Sequence, residues 1–389
     1  MVSLTRRHWF SLAGFALASA CGPRKGTGFA GYALVSNAGD RALSVVDLTK
    51  FRVSRSISLG APASKVLPAG KSGSFILTPS NGSVALLSPE LRVIKSRRFS
   101  DTLSDICFSP DGDAVLATSA DKHELIIARA ASLEVVRSIK LSGEPISMSV
   151  PPLPLAGEEP RPPYVALSTK QGAVELLDLK TGRHYTRSLS GPAGDVRFRA
   201  DGERLLAANL QERCITALTT PDLKTIADLP LAMQPQNLCF NADQGQLFVS
   251  GEGMDAVAII FPYNPLDVDQ TVLAGRDPGV MACSANPAYL FVGSASGSDV
   301  CILNIDSRKM IGIVDAGQRP TYIAVTPDSQ YALVLAESSG TMAVIHILDV
   351  LANAGNAAKW RNKITAGLFT LLNVGNQPVH VAVVPRQAA

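Results

Sequence analysis

The chain is poor in charge, in aromatic residues and in catalytic signatures. Charged residues make up 18% of its 389 positions and aromatics 6%, with only two tryptophans. So little charge beside 46% hydrophobic residues excludes a disordered chain. Scarce aromatics mean a core built from Val, Leu, Ile and Ala, the side chains that fit between closely stacked sheets. A net charge of +3, with the basic pairs Arg6-Arg7 and Arg97-Arg98 standing isolated, leaves no footprint for nucleic acid. A Walker-type phosphate loop, HExxH, GxSxG and CxxCH are all missing, which removes the P-loop nucleotide, zinc-protease, serine-hydrolase and c-type haem classes. The six cysteines have no close CxxC spacing. With Cys21 set aside, an odd number remains, which defines neither a zinc nor a disulfide framework. Cys107, Cys239 and Cys283 are expected at equivalent strand positions, where packing is the default role.

Residues 1–20 read as an export signal. Arg6-Arg7 supply a positive start, Trp9 to Ala20 a short apolar stretch, and Ala18-Ser19-Ala20 a small-residue cleavage site before Cys21. The stretch is too short for a spanning helix, which needs about 20 apolar residues. Cys21 is expected to be lipidated and residues 21–31 to form a linker, which would place a periplasmic or outer-membrane lipoprotein on the membrane through its anchor. Ordinary cleavage after Ala20 is the competing reading. Thr5-Arg6-Arg7-His8-Trp9-Phe10 is similar to a twin-arginine signal, with the phenylalanine one place late.

From Tyr32 onward the dominant feature is repetition with a period of about 45 residues. Apolar runs open at Tyr32, Ser74, Asp113, Tyr164, Arg204, Gln246, Tyr289 and Tyr331. Each is followed by a turn, a second apolar run, a third run that alternates polar and apolar residues, and a fourth that often closes on Pro-Asp-Gly, as at Pro110-Asp111-Gly112. A four-stranded sheet of this kind buries both faces only when its neighbours stack radially around it. The predicted fold is therefore an all-β propeller of four-stranded blades, a single domain over residues 32–389. Eight blades are expected, with seven as the alternative, and the N-terminal strands close the ring by pairing with the C-terminal run VHVAVVPR. Residues 350–363 interrupt the last unit and can carry a short helix, while the proline-rich stretch 151–163 is expected as a surface loop.

Units such as Tyr32 to Gly60 with Ser44-Val45-Val46-Asp47, and Tyr289 to Asp328 with Gly317-Gln318-Arg319-Pro320 and Pro327-Asp328, resemble the bacterial YVTN-type propeller repeats. The resemblance covers nearly all of the chain after Tyr32. It implies the propeller fold but not an activity, because proteins similar to this include surface-layer and adhesion modules, lactonase-like enzymes and electron-transfer relatives of amine dehydrogenase subunits.

Aligning the fourth runs places alternate side chains in the central channel. One ring of positions holds Ser64, Asp105, Ser147, Asp195, Asn237, Val280, Tyr322 and His380, and the next holds Val66, Cys107, Ser149, Arg197, Cys239, Ala282, Ala324 and Ala382. Asp105, Asp195, Asn237 and His380 are the residue types of an oxygen-rich divalent-metal site or an acid–base set. Tyr322 and Arg197 could orient an anionic group. The bland alternative is a solvated rim in which Asp195 simply pairs with Arg197. The missing catalytic motifs favour a binding module, monomeric and presenting its loops to a protein or glycan of the cell envelope, with no cofactor required. The rival is an enzyme at the channel mouth, a lactonase-like hydrolase or an oxidoreductase using a divalent metal.

Overall fold

A computed structural model describes residues 28–69, 73–154, 160–354 and 367–386. The expected export signal and Cys21 lie outside these residues. The described chain forms eight four-stranded antiparallel sheets. Their innermost strands are Lys65–Pro68, Leu103–Phe108, Pro145–Ser149, Ala193–Phe198, Gln234–Phe240, Pro278–Cys283, Pro320–Val325 and Pro378–Pro385. Each innermost strand contacts the next, and the last contacts the first, so the sheets close into an eight-bladed propeller.

The strand types follow from where each lies along the blade. The second strand of a blade, such as Gly31–Asn37 or Tyr331–Ala336, is buried along nearly its whole length because other blades cover both of its faces. Its alternate side chains serve different neighbours. Leu34 packs with Val66 and Ile76 of the next blade. Ala33 and Val35 pack with Leu333 and Val344 of the preceding one. The outermost strands, such as Arg52–Ser58 and Val93–Arg98, are exposed and correspondingly polar.

Closure of the ring is an antiparallel pairing across almost the full length of the chain. Gly31–Asn37 lies between Ala42–Asp47 and Pro378–Pro385, with Leu34 opposite Val45 on one side and Ala382 on the other. The Pro-Asp-Gly turn performs as its residues require. Gly112 adopts φ +78°, its N–H donates to Ser109 O at 2.8 Å, and Asp111 Oδ1 accepts the Asp113 N–H at 3.1 Å. In the last blade the helix Ile347–Ala354 follows Thr341–His346, so the expected short helix starts three residues earlier than the sequence placed it. The remainder of that interruption lies outside the described residues.

Candidate functional site: the mouth of the central channel

The innermost strands, apart from Lys65–Pro68, share a device that aims side chains into the channel. Pairing with the second strand shifts register between Leu103 and Asp105, Pro145 and Ser147, Pro235 and Asn237, and Pro320 and Tyr322. A shift of this kind inserts an unpaired residue, bends the strand and re-aims the residue that follows. After the bulge, Asp105 lies opposite Thr118, Ser147 opposite Ser168, Asn237 opposite Ser250 and Tyr322 opposite Leu335, while His380 lies opposite Ser36. These are equivalent places in five of the eight blades, so these residues lie at one level of the channel wall; in the blade of Lys65–Pro68 that level is held by Lys65, opposite Leu77, and not by Ser64.

Most contacts in the ring run from blade to blade. Lys65 Nζ donates to Asp105 Oδ1 at 2.6 Å. Ser147 Oγ donates to Asp195 Oδ1 at 2.6 Å, and the other Asp195 oxygen lies 2.8 Å from the Arg197 guanidinium. The Val66 N–H donates to His380 Nδ1 at 3.4 Å, and the His380 ring lies 4.2 Å, centroid to centroid, from that of Tyr322. Asn237 Nδ2 donates to Ser250 Oγ at 3.3 Å, within its own blade.

The electrostatics show which groups converge. Burial, with a smaller contribution from the Lys65 charge, pushes the His380 imidazole down to about 3, so it is neutral at ordinary pH. Because Nδ1 accepts a backbone N–H, the neutral ring carries its proton on Nε2 and presents a donor. Burial raises the Tyr322 phenol; the Arg197 charge opposes that shift and the Asp105 charge adds to it, so cation and carboxylate both act on the one hydroxyl. Burial, then the Asp105 charge, pushes the Cys107 thiol up to about 12, and Lys65 pulls the other way. The open cavity here measures about 680 Å³, within the range that holds a cofactor-sized molecule. Asp195, Arg197, Asn237 and Tyr322 line it together with Lys65; Met148, Phe198, Phe240, Met281 and Ile323 supply apolar wall. Asp105 and His380 stand behind Lys65 and Tyr322, in contact with them.

The arrangement bears on the sequence reading in three respects. Asp105 and Asp195 lie on blades separated by the Pro145–Ser149 blade, and each has its own cation, so they do not form a carboxylate pair. Among the described residues, no three His, Cys, Asp or Glu side chains gather as metal ligands. Cys283 is out of register with Cys107 and Cys239. It faces Leu290, the position beyond Phe291, which is the equivalent of the Leu116 and Phe248 that face Cys107 and Cys239. His184 lies 2.5 Å from the wholly buried Glu175, which also accepts the Ser142 N–H at 2.7 Å and Oγ at 2.6 Å. A glutamate inside the run AVELLDL was the signal for that buried cluster. Lys65 was missed because strict alternation from Ser64 turns it out of the channel.

No protein-family model matches the chain, and no curated protein matches it. The YVTN-type likeness therefore rests on the motifs of the repeats. Solved structures do resemble it. Dihydro-heme d1 dehydrogenase NirN, solved in complex with DHE, superposes with a TM-score of 0.71 at 14% identity, covering 92% of this chain and 76% of that one. A functionally unknown protein from Desulfotomaculum acetoxidans gives 0.59 at 11% identity, covering 92% of this chain and 100% of that one. Kuenenia stuttgartiensis hydrazine synthase gives 0.51 at 13% identity, covering 72% and 85%. At such identities the likeness shows the propeller fold.

Proposed function

We propose that the protein is a binding propeller whose channel mouth takes a flat, largely apolar ligand carrying one or two carboxylates, of the tetrapyrrole class. The observation that carries this reading is the cavity of about 680 Å³, which sets Arg197, Lys65 and the Tyr322 hydroxyl against a wall of Met, Phe and Ile. Arg197 is the anchor for a carboxylate. Asp195 engages one end of a guanidinium that has five N–H donors, and 41% of the Arg197 side chain is exposed. The ring charges of Lys65, Asp105, Asp195 and Arg197 sum to zero, which suits a ligand with few charges rather than a polyanion. The solved complex of NirN with DHE supports the ligand class, since it puts a heme-type enzyme on a propeller of this kind.

Export and a lipid on Cys21 belong to the same proposal and place the binding site in the cell envelope, where the ring's loops can also meet a protein or glycan partner. The reading of the channel mouth as a metal-dependent hydrolase has less support, because each carboxylate is already held by its own cation. The experiment is an equilibrium titration of the purified protein with iron protoporphyrin IX, followed in the Soret region. A saturable complex of one ligand per chain supports the proposal. Absorbance that rises without saturation, as for partition onto a surface, contradicts it.

A further inference from the structure

We propose that Cys239, Cys283 and Met281 form a binding site for a soft monovalent metal ion, Cu(I), in the wall of the channel cavity. The three residues meet across the boundary between two adjacent blades. Cys239 ends the channel-facing part of Gln234–Phe240, and Met281 and Cys283 lie two apart on Pro278–Cys283, on the same face of that strand. All three pack into one inter-blade cluster with Leu290 and Val292. Cys239 and Met281 also line the cavity, so an ion can reach the site from the channel.

The separation of the sulfurs fits a shared ion. Cys239 Sγ and Cys283 Sγ are 3.8 Å apart, and both thiols are free. With metal–sulfur bonds of about 2.3 Å, that separation corresponds to a sulfur–metal–sulfur angle of roughly 110°, open enough for a third ligand. Two thiolates and a thioether are the donor set that selects Cu(I), whereas zinc takes four ligands of nitrogen, oxygen or thiolate type. Binding of Cu⁺ releases the two thiol protons and forms two copper–thiolate bonds without any change of oxidation state. The site then carries a single negative charge, which Arg197 offsets.

The one-residue offset of Cys283 is what makes the site. Were it in register with Cys239, its side chain would share the channel-facing direction of Ala282 rather than turn into the boundary between blades.

The test is anaerobic titration of the reduced full chain with Cu(I) in competition with bicinchoninate. The proposal expects one copper per chain retained against the chelator. Cys239→Ser and Cys283→Ser should each weaken retention at least tenfold, Met281→Leu less, and Cys107→Ser not at all. X-ray absorption of the copper-loaded chain should show sulfur scatterers only. Two results overturn the proposal: complete loss of copper from the wild-type chain to the chelator, or equal retention by wild type, Cys239→Ser and Cys283→Ser. The unaltered circular dichroism of Met281→Leu, which preserves the volume of the side chain, separates loss of the ligand from loss of the fold.

Discussion

Tyr322 and His380 pack with their ring centroids 4.2 Å apart and their planes tilted by 40° at the seam where the last blade meets the first, so the closure of the ring and the wall of its channel share a residue pair. Tyr322 belongs to the Pro320–Val325 strand and His380 to Pro378–Pro385, the strand that completes the first blade from the far end of the chain. A ligand bound at Tyr322, as proposed, would thereby be coupled to the strand that locks the propeller.

That coupling has a pH dependence. His380 is held neutral in the folded chain with its ionisation at about 3, whereas an unfolded histidine titrates near its ordinary value of 6.5. Between these values the unfolded state binds the extra proton, so stability falls as pH drops from about 6.5 towards 3, by up to a few kcal/mol. Lys65, Asp105 and Tyr322 are the charged and titratable groups around the ring. Urea denaturation at pH 7 and pH 4.5 should show a smaller loss of stability for His380→Gln than for the wild type. Equal losses would remove His380 from the account.

Closure itself is testable at Leu34. Its side chain is wholly buried between the first and second blades, and its backbone pairs with both Val45 and Ala382. Leu34→Ala should cost about 2–5 kcal/mol, in the range for a large buried side chain reduced to a methyl group. Val53→Ala on the exposed outer strand of the same blade should cost little. Chemical denaturation of the two variants compares them directly.

The ion pair of Lys65 with Asp105 contributes modestly to stability. The two side chains are 29% and 23% exposed, and water screens part of their attraction. Lys65→Met is therefore expected to lower stability by about 1 kcal/mol or less. A double-mutant cycle with Asp105→Asn measures the coupling, and a value of several kcal/mol would show the pair to be far better shielded than its exposure indicates.

The thiols should react in a fixed order. Hydrogen bonding from Cys283 favours the Cys239 thiolate, while burial holds Cys107 protonated up to about 12. Iodoacetamide at pH 8, with peptide mapping over time, should modify Cys239 before Cys107. The reverse order would contradict the electrostatic picture of this wall of the channel.

The propeller was legible because its causes are local and repeated. Apolar runs such as YALVSN and YALVLA recur with the same turns, and each run is buried on both faces for the same reason. The ring of channel residues was legible too, since alternation from a recurring proline places Asp105, Ser147, Asn237 and His380 at equivalent positions. Contacts between blades were not. The pairing of Lys65 with Asp105, the packing of Tyr322 against His380 and the approach of Cys239 to Cys283 all join residues of different repeats. Their geometry depends on blade spacing and on bulges, which no single repeat encodes. A one-residue offset, as at Cys283, changes the face that a side chain occupies, and a short strand without a register shift, as at Lys65, breaks the alternation used to read the others.

The central claim is that the channel cavity binds a flat carboxylate ligand through Arg197. Parallel titrations of wild type, Arg197→Ala and Val53→Ala with iron protoporphyrin IX test it most directly. The account predicts saturable binding by wild type and Val53→Ala and at least tenfold weaker binding by Arg197→Ala, equivalent to the loss of about 1.4 kcal/mol, as for one charge-assisted hydrogen bond. Equal affinity of Arg197→Ala and wild type would contradict it.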